Sequence, residues 1–90
     1  MNDKLKRRTV KYIDGLDGVT GYVLFAADWC MPCQRLKPHI VEDIDYIFDL
    51  TNDNPTDVRG VPTIRYYEDG NVKEEIVAPS PAAFKEWRGV

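Results

Sequence analysis

Leu5, Thr9, Tyr12, Ile13 and Leu16 recur at helical spacing, and the pairs Asp14-Gly15 and Asp17-Gly18 then break the period with turn residues. The pattern predicts a helix over residues 3–14. Tyr22-Val23-Leu24-Phe25-Ala26-Ala27 is a continuous apolar run of strand length, as a strand covered on both faces shows, and it marks the centre of a sheet. From Cys30 to Asp43 and just beyond, Cys33, Leu36, Lys37, Ile40, Val41 and Ile44 recur with spacings of three and four residues. That predicts a second helix, bent at Pro38, which has no N–H to bond back one turn. Tyr46 to Leu50 reads as a second strand, followed by a polar run from Thr51 to Asp57. Pro62–Tyr67 and Val72–Val77 alternate with period two around Asp69-Gly70, the signature of a hairpin. Ser80 caps and Pro81 opens a last short helix, whose Phe84 and Trp87 share a face.

Helix, strand, helix, strand, hairpin and helix assemble into an α/β fold. The first crossover is a strand–helix–strand unit, so its strands run parallel, and the hairpin adds two antiparallel strands. The expectation is a four-stranded mixed sheet with helices on both faces. Reaction sites in open α/β sheets gather outside the C-terminal ends of the parallel strands, where residue 30 falls.

Ninety residues, 43% of them hydrophobic and 30% charged, suit one domain spanning 1–90 with an ordinary core. Twelve Lys and Arg against fifteen Asp and Glu give a net charge of -3, which argues against a general nucleic-acid partner. The basic cluster Lys4, Lys6, Arg7, Arg8 and Lys11 then reads as a solvated helix face. No apolar stretch is long enough to cross a membrane or to act as a secretory signal, so a cytoplasmic protein with no membrane partner is expected, and a monomer.

Cys30 and Cys33 are too few for a disulfide scaffold and too close to staple distant segments. Even with His39, the only histidine, they fall short of the four ligands of a structural zinc site, so no metal is expected. Their value is chemical. A cysteine at a helix N-terminus meets unpaired N–H groups and about half a positive charge, which favours the thiolate and draws the thiol pKa below its reference of ~8.5. Cys30 is therefore the expected nucleophile. Cys33, one turn further in, is less exposed but close enough to resolve a mixed disulfide, and Pro32 stiffens the ring between them.

Phe25-Ala26-Ala27-Asp28-Trp29-Cys30-Met31-Pro32-Cys33, with Pro38 five residues on, resembles the active-site segment of thioredoxins, commonly Trp-Cys-Gly-Pro-Cys-Lys. Arg59-Gly60-Val61-Pro62-Thr63 resembles that family's cis-proline loop, and Tyr67 to Val72 its final hairpin. The resemblance spans roughly Val19 to Trp87 and implies the thioredoxin-like fold. It implies that Pro62 is cis and faces the cysteines, that Val61 pairs its backbone with a substrate strand, and that Trp29 shapes the docking surface. Met31 and Pro32 join that substrate-binding set. No cofactor beyond a redox-active Cys30-Cys33 disulfide is implied. The implied activity is thiol–disulfide exchange that reduces protein disulfides, with a thioredoxin reductase or a similar donor as electron source.

Departures accompany the likeness. The family usually begins with a strand before its first helix, whereas this chain is expected to start at the helix and to lack that strand. Met31 stands where glycine is usual, and Leu24 where the family buries an aspartate that takes the proton of the resolving cysteine. Proton transfer for Cys33 then falls to water, to His39, or to nothing efficient. A glutathione-dependent, glutaredoxin-like enzyme and a non-catalytic interaction subunit are the alternative readings.

Overall fold

Val23, Leu24 and Phe25 are fully buried, as the unbroken apolar run requires, and the strand that carries them organises the molecule. A computed structural model describes residues 10–90. In chain order the elements are β1 (Lys11–Ile13), β2 (Gly21–Ala26), α1 (Met31–Ile40), a 3-10 turn (Val41–Asp43), β3 (Tyr46–Asp49), β4 (Thr63–Glu68), β5 (Asn71–Val77) and α2 (Pro81–Arg88). The sheet order is β1-β3-β2-β4-β5. Strands β1 and β3 are parallel, as are β2 and β3, while β4 is antiparallel to both β2 and β5.

The α/β mixed sheet and the hairpin therefore stand, with two corrections. Among the described residues the sheet has five strands rather than four, because Lys11–Ile13, expected at the end of a helix, pairs in parallel with Tyr46–Phe48 as an edge strand. The rest of the helix expected over residues 3–14 lies outside the described residues, apart from Val10 and Asp14, neither of which is helical. An edge strand is present, and no helix stands between it and β2. Among the described residues both helices pack on one face of the sheet. Leu36 and Ile40 of α1 and Phe84 of α2 join Leu24, Ile47 and Ile64 in one core. On the opposite face Val23, Phe25, Phe48 and Tyr67 are covered by Leu16, Val19, Leu50 and Val58, which lie in loops.

Local chemistry sets the element ends. Ser80 accepts a hydrogen bond from the Ala83 N–H at 3.1 Å, with Pro81 in the first turn, so α2 starts where its cap dictates. Asp69 and Gly70 have φ of 52° and 83°, the paired left-handed residues of a tight hairpin turn. A side chain at Gly70 would also press on the Leu16 carbonyl and the Gly18 amide, each at 3.2 Å. Pro38 sits inside α1, which remains α-helical to Ile40 and then tightens into the 3-10 turn, short of the single helix expected to Asp43.

Candidate active site

Strand β2 ends at Ala26, and the chain turns through Ala27, Asp28 and Trp29 before α1 begins. The turn is pinned twice by the Ala27 carbonyl, which accepts from the Cys30 N–H and from the Gln34 side-chain amide, each at 3.1 Å. Cys30 is the N-cap of α1, extended at φ -94° and ψ 104°. Its sulfur accepts from the Cys33 N–H at 3.2 Å, the bond that a serine or aspartate oxygen makes at an ordinary cap. In the dithiol form the same N–H stabilises negative charge on Cys30.

Cys30 and Cys33 form a disulfide, with Cα atoms 5.2 Å apart. The two sulfurs are not equivalent. Cys33 is 0% exposed and packs in the core with Leu36 and Phe84, whereas Cys30 is 5% exposed and flanked by Trp29 and Met31, which are 65% and 59% exposed. The Trp29 ring is held rather than loose: its Nε1–H donates to the Thr51 carbonyl at 3.1 Å, and the Thr51 hydroxyl accepts from the Asp28 N–H at 2.8 Å.

Facing the pair across the sheet end is the loop before β4. The Val61–Pro62 peptide is cis, and the Val61 carbonyl oxygen lies 3.6 Å from the Cys30 sulfur. Val61 is half-buried and Pro62 buried, while Pro32 on the helix side is exposed. Cys30, Cys33, Trp29, Met31, Pro32, Val61 and Pro62 thus meet at one end of the sheet. His39 lies on the exposed rim of α1, six residues along the helix from Cys33, and lines a groove with Pro32. Leu24, opposite Ile47 and Ile64, is fully buried in the same apolar cluster as Cys33, so hydrocarbon fills the place of the family's aspartate.

Two residues that support the site carry no sequence signal. Thr51 orients Trp29 from within a polar run whose composition says only loop. Arg65, alternating with apolar neighbours in β4, has a side chain only 9% exposed and draws Asp57 of the Val61–Pro62 loop to 2.7 Å and Glu75 of β5 to 2.8 Å. It also donates to the Tyr67 hydroxyl at 3.2 Å. Burial opposes its charge, but the bonds to Asp57, Tyr67 and Glu75 outweigh that and raise its pKa further. The guanidinium in turn holds the Asp57 carboxyl below its usual range. Among the described residues no group of three or more His, Cys, Asp or Glu could hold a metal ion.

No protein-family model matches the chain. Thioredoxin-2 of Pyricularia oryzae is 30% identical over 70 residues, which are 63% of this chain and 40% of that relative's length. The structure of thioredoxin from Malassezia sympodialis superposes with a TM-score of 0.74 at 19% identity, covering 90% of this chain and 89% of the other. That of a mutant thioredoxin from Halobacterium salinarum gives 0.64 at 31% identity, covering 87% of each chain. With a cysteine pair closed across the first turn of α1 and a cis-proline loop against it, the chain belongs to the thioredoxin family of thiol–disulfide oxidoreductases.

Proposed function

We propose that this thiol–disulfide oxidoreductase works as a protein-disulfide reductase, with Cys30 as nucleophile and Cys33 as resolving thiol. The observation that carries the reading is the asymmetry of the pair: Cys30 caps α1, takes the Cys33 N–H and keeps 5% exposure between the exposed Trp29 and Met31, while Cys33 is fully buried behind it. The Cys30 thiolate attacks one sulfur of a target cystine, forming a mixed disulfide and expelling the other sulfur as a thiolate, which takes a proton. Cys33 then loses its proton and attacks the Cys30 sulfur, closing the Cys30-Cys33 disulfide and releasing the second target thiol. Two electrons pass from the dithiol to the target. Trp29, Met31, Pro32, Val61 and Pro62 form the surface on which the target lies, with the Val61 backbone as its pairing edge.

The chain's own sulfurs do the chemistry without a further cofactor. Returning to the dithiol needs an outside donor, and a thioredoxin reductase is the one proposed, in a reducing cytoplasm. One copy carries both cysteines, so the proposed working unit is a monomer. Among the described residues no helix is long and apolar enough to cross a membrane. An NADPH-coupled assay on insulin disulfides tests the donor. Turnover with thioredoxin reductase and not with glutathione and its reductase is expected. Turnover with glutathione alone would overturn the choice of donor, and no attack on a disulfide from either supply would overturn the enzymatic reading.

A further inference from the structure

Four of the twelve Lys and Arg and one of the fifteen acids fall in residues 1–9, which leaves eight basic side chains against fourteen acids in residues 10–90. Most of the eight are engaged or remote. Arg65 pairs with Asp57 and Glu75, Lys85 pairs with Asp43 at 3.0 Å, and Arg88 lies over the Tyr22 ring and donates to the Asp43 carbonyl. Lys37 donates to the Tyr12 hydroxyl, and Lys11 and Lys73 stand on the two edge strands β1 and β5. Arg35 and Arg59 remain. Both are exposed, neither has an ion-pair partner among the described residues, and they flank the cysteines.

Arg59 lines a hollow of about 100 Å³ with Trp29, Leu50, Gly60 and Val61. Arg35 and His39 line an open groove of about 370 Å³ with Pro32, Leu36, Pro79 and Pro81. Among the described residues no carboxylate lines either. Asp28 and Asp49 line a separate hollow with Gln34 and Lys37, and Asp57 and Glu75, which share a further hollow with Arg59, are both paired with Arg65. Cys30 sits between the two grooves, its sulfur 3.6 Å from the Val61 oxygen and its chain neighbour but one being Pro32.

We propose that the two grooves receive the polypeptide on either side of a target cystine, and that Arg35 and Arg59 select partner proteins whose flanking residues are Asp or Glu. The proposal rests on the reductase reading of the site and adds its substrate class. Net negative charge opposes such a partner at long range, but the Debye length is about 10 Å at 0.1 M salt, and the radius of gyration is 12.8 Å. Distant acids are screened, while a carboxylate in contact with either guanidinium is not.

Pre-reduced protein is mixed in single turnover with three cystine peptides alike except for Glu, Gln or Lys flanks, and each rate is divided by that of dithiothreitol on the same peptide. The Glu peptide is expected to exceed the Lys peptide by about tenfold, with Gln between, as two exposed charge contacts allow. The preference is expected to collapse toward equality in Arg35→Gln/Arg59→Gln and at about 0.5 M salt. Equal rates for the three peptides, or a preference unchanged in the double variant, would overturn the docking proposal alone. Reduction of none of the peptides, nor of hydroxyethyl disulfide, would overturn the reductase reading and this proposal with it.

Discussion

At the residue scale Leu24 bears on the exchange chemistry as much as the cysteines do. A fully buried leucine beneath Cys33 leaves no carboxylate there to take the proton of the resolving thiol. His39 lies on the exposed rim of α1. Leu24→Asp would place an acid among Cys33, Ile47 and Ile64, where loss of hydration raises its pKa well above the ~3.9 of a free aspartate and suits it to accept a proton near neutrality. We expect stopped-flow decay of the mixed disulfide to be faster in folded Leu24→Asp, at a cost of about 2–5 kcal/mol in stability. An unchanged or slower decay would mean that proton transfer does not limit resolution. Sequence showed Leu24 and the Cys-x-x-Cys plainly, because identity and spacing suffice there. Thr51 and Arg65 stayed hidden, since their roles depend on which loop folds over which strand.

At the element scale the central strand, the active-site helix, the hairpin and the last helix were legible because each carries its own signal: an unbroken apolar run, a capped 3.6 period, Asp-Gly between alternating runs, and Ser-Pro. Strand β1 was not. Three residues are too few for any period, Tyr12 and Ile13 fit a helical stripe equally well, and only the pairing with Tyr46 to Phe48 makes them a strand. The loop between β3 and β4 likewise shows nothing of the clamp from Asp57 to Arg65. That clamp has a pH signature. Arg65 lowers the Asp57 pKa, mainly through the direct hydrogen bond and then through charge, so folding favours the carboxylate. The stabilisation is fully present above the ordinary value of 3.8 and is lost as pH falls through the lowered one. Asp57→Asn should therefore melt slightly below the parent at neutral pH, and the gap should close in acid below pH 3.8. A gap that persists undiminished there would contradict the clamp.

At the scale of the whole molecule, among the described residues both helices press on one face of the sheet and loops cover the other, so burial of Cys33 depends on α1 and α2 staying together. Phe84 is the fully buried anchor of α2 in that shared core, and Tyr22, Trp87 and Arg88 stack outside it. Phe84→Ala should cost about 3–5 kcal/mol, a large share of the ~5–15 kcal/mol that holds a small domain together. Urea denaturation should register that loss, and in the reduced protein alkylation of Cys33 should accelerate before global unfolding. Unaltered Cys33 protection with full stability would show that α2 does not seal the site.

Trapping measures the division of labour within the cysteine pair directly. Reduced Cys33→Ser, mixed with a disulfide-bonded protein substrate, should accumulate a covalent mixed disulfide through Cys30, while reduced Cys30→Ser should accumulate none, because its remaining sulfur is buried. Mixed disulfides on non-reducing gels from Cys30→Ser and not from Cys33→Ser would contradict the account.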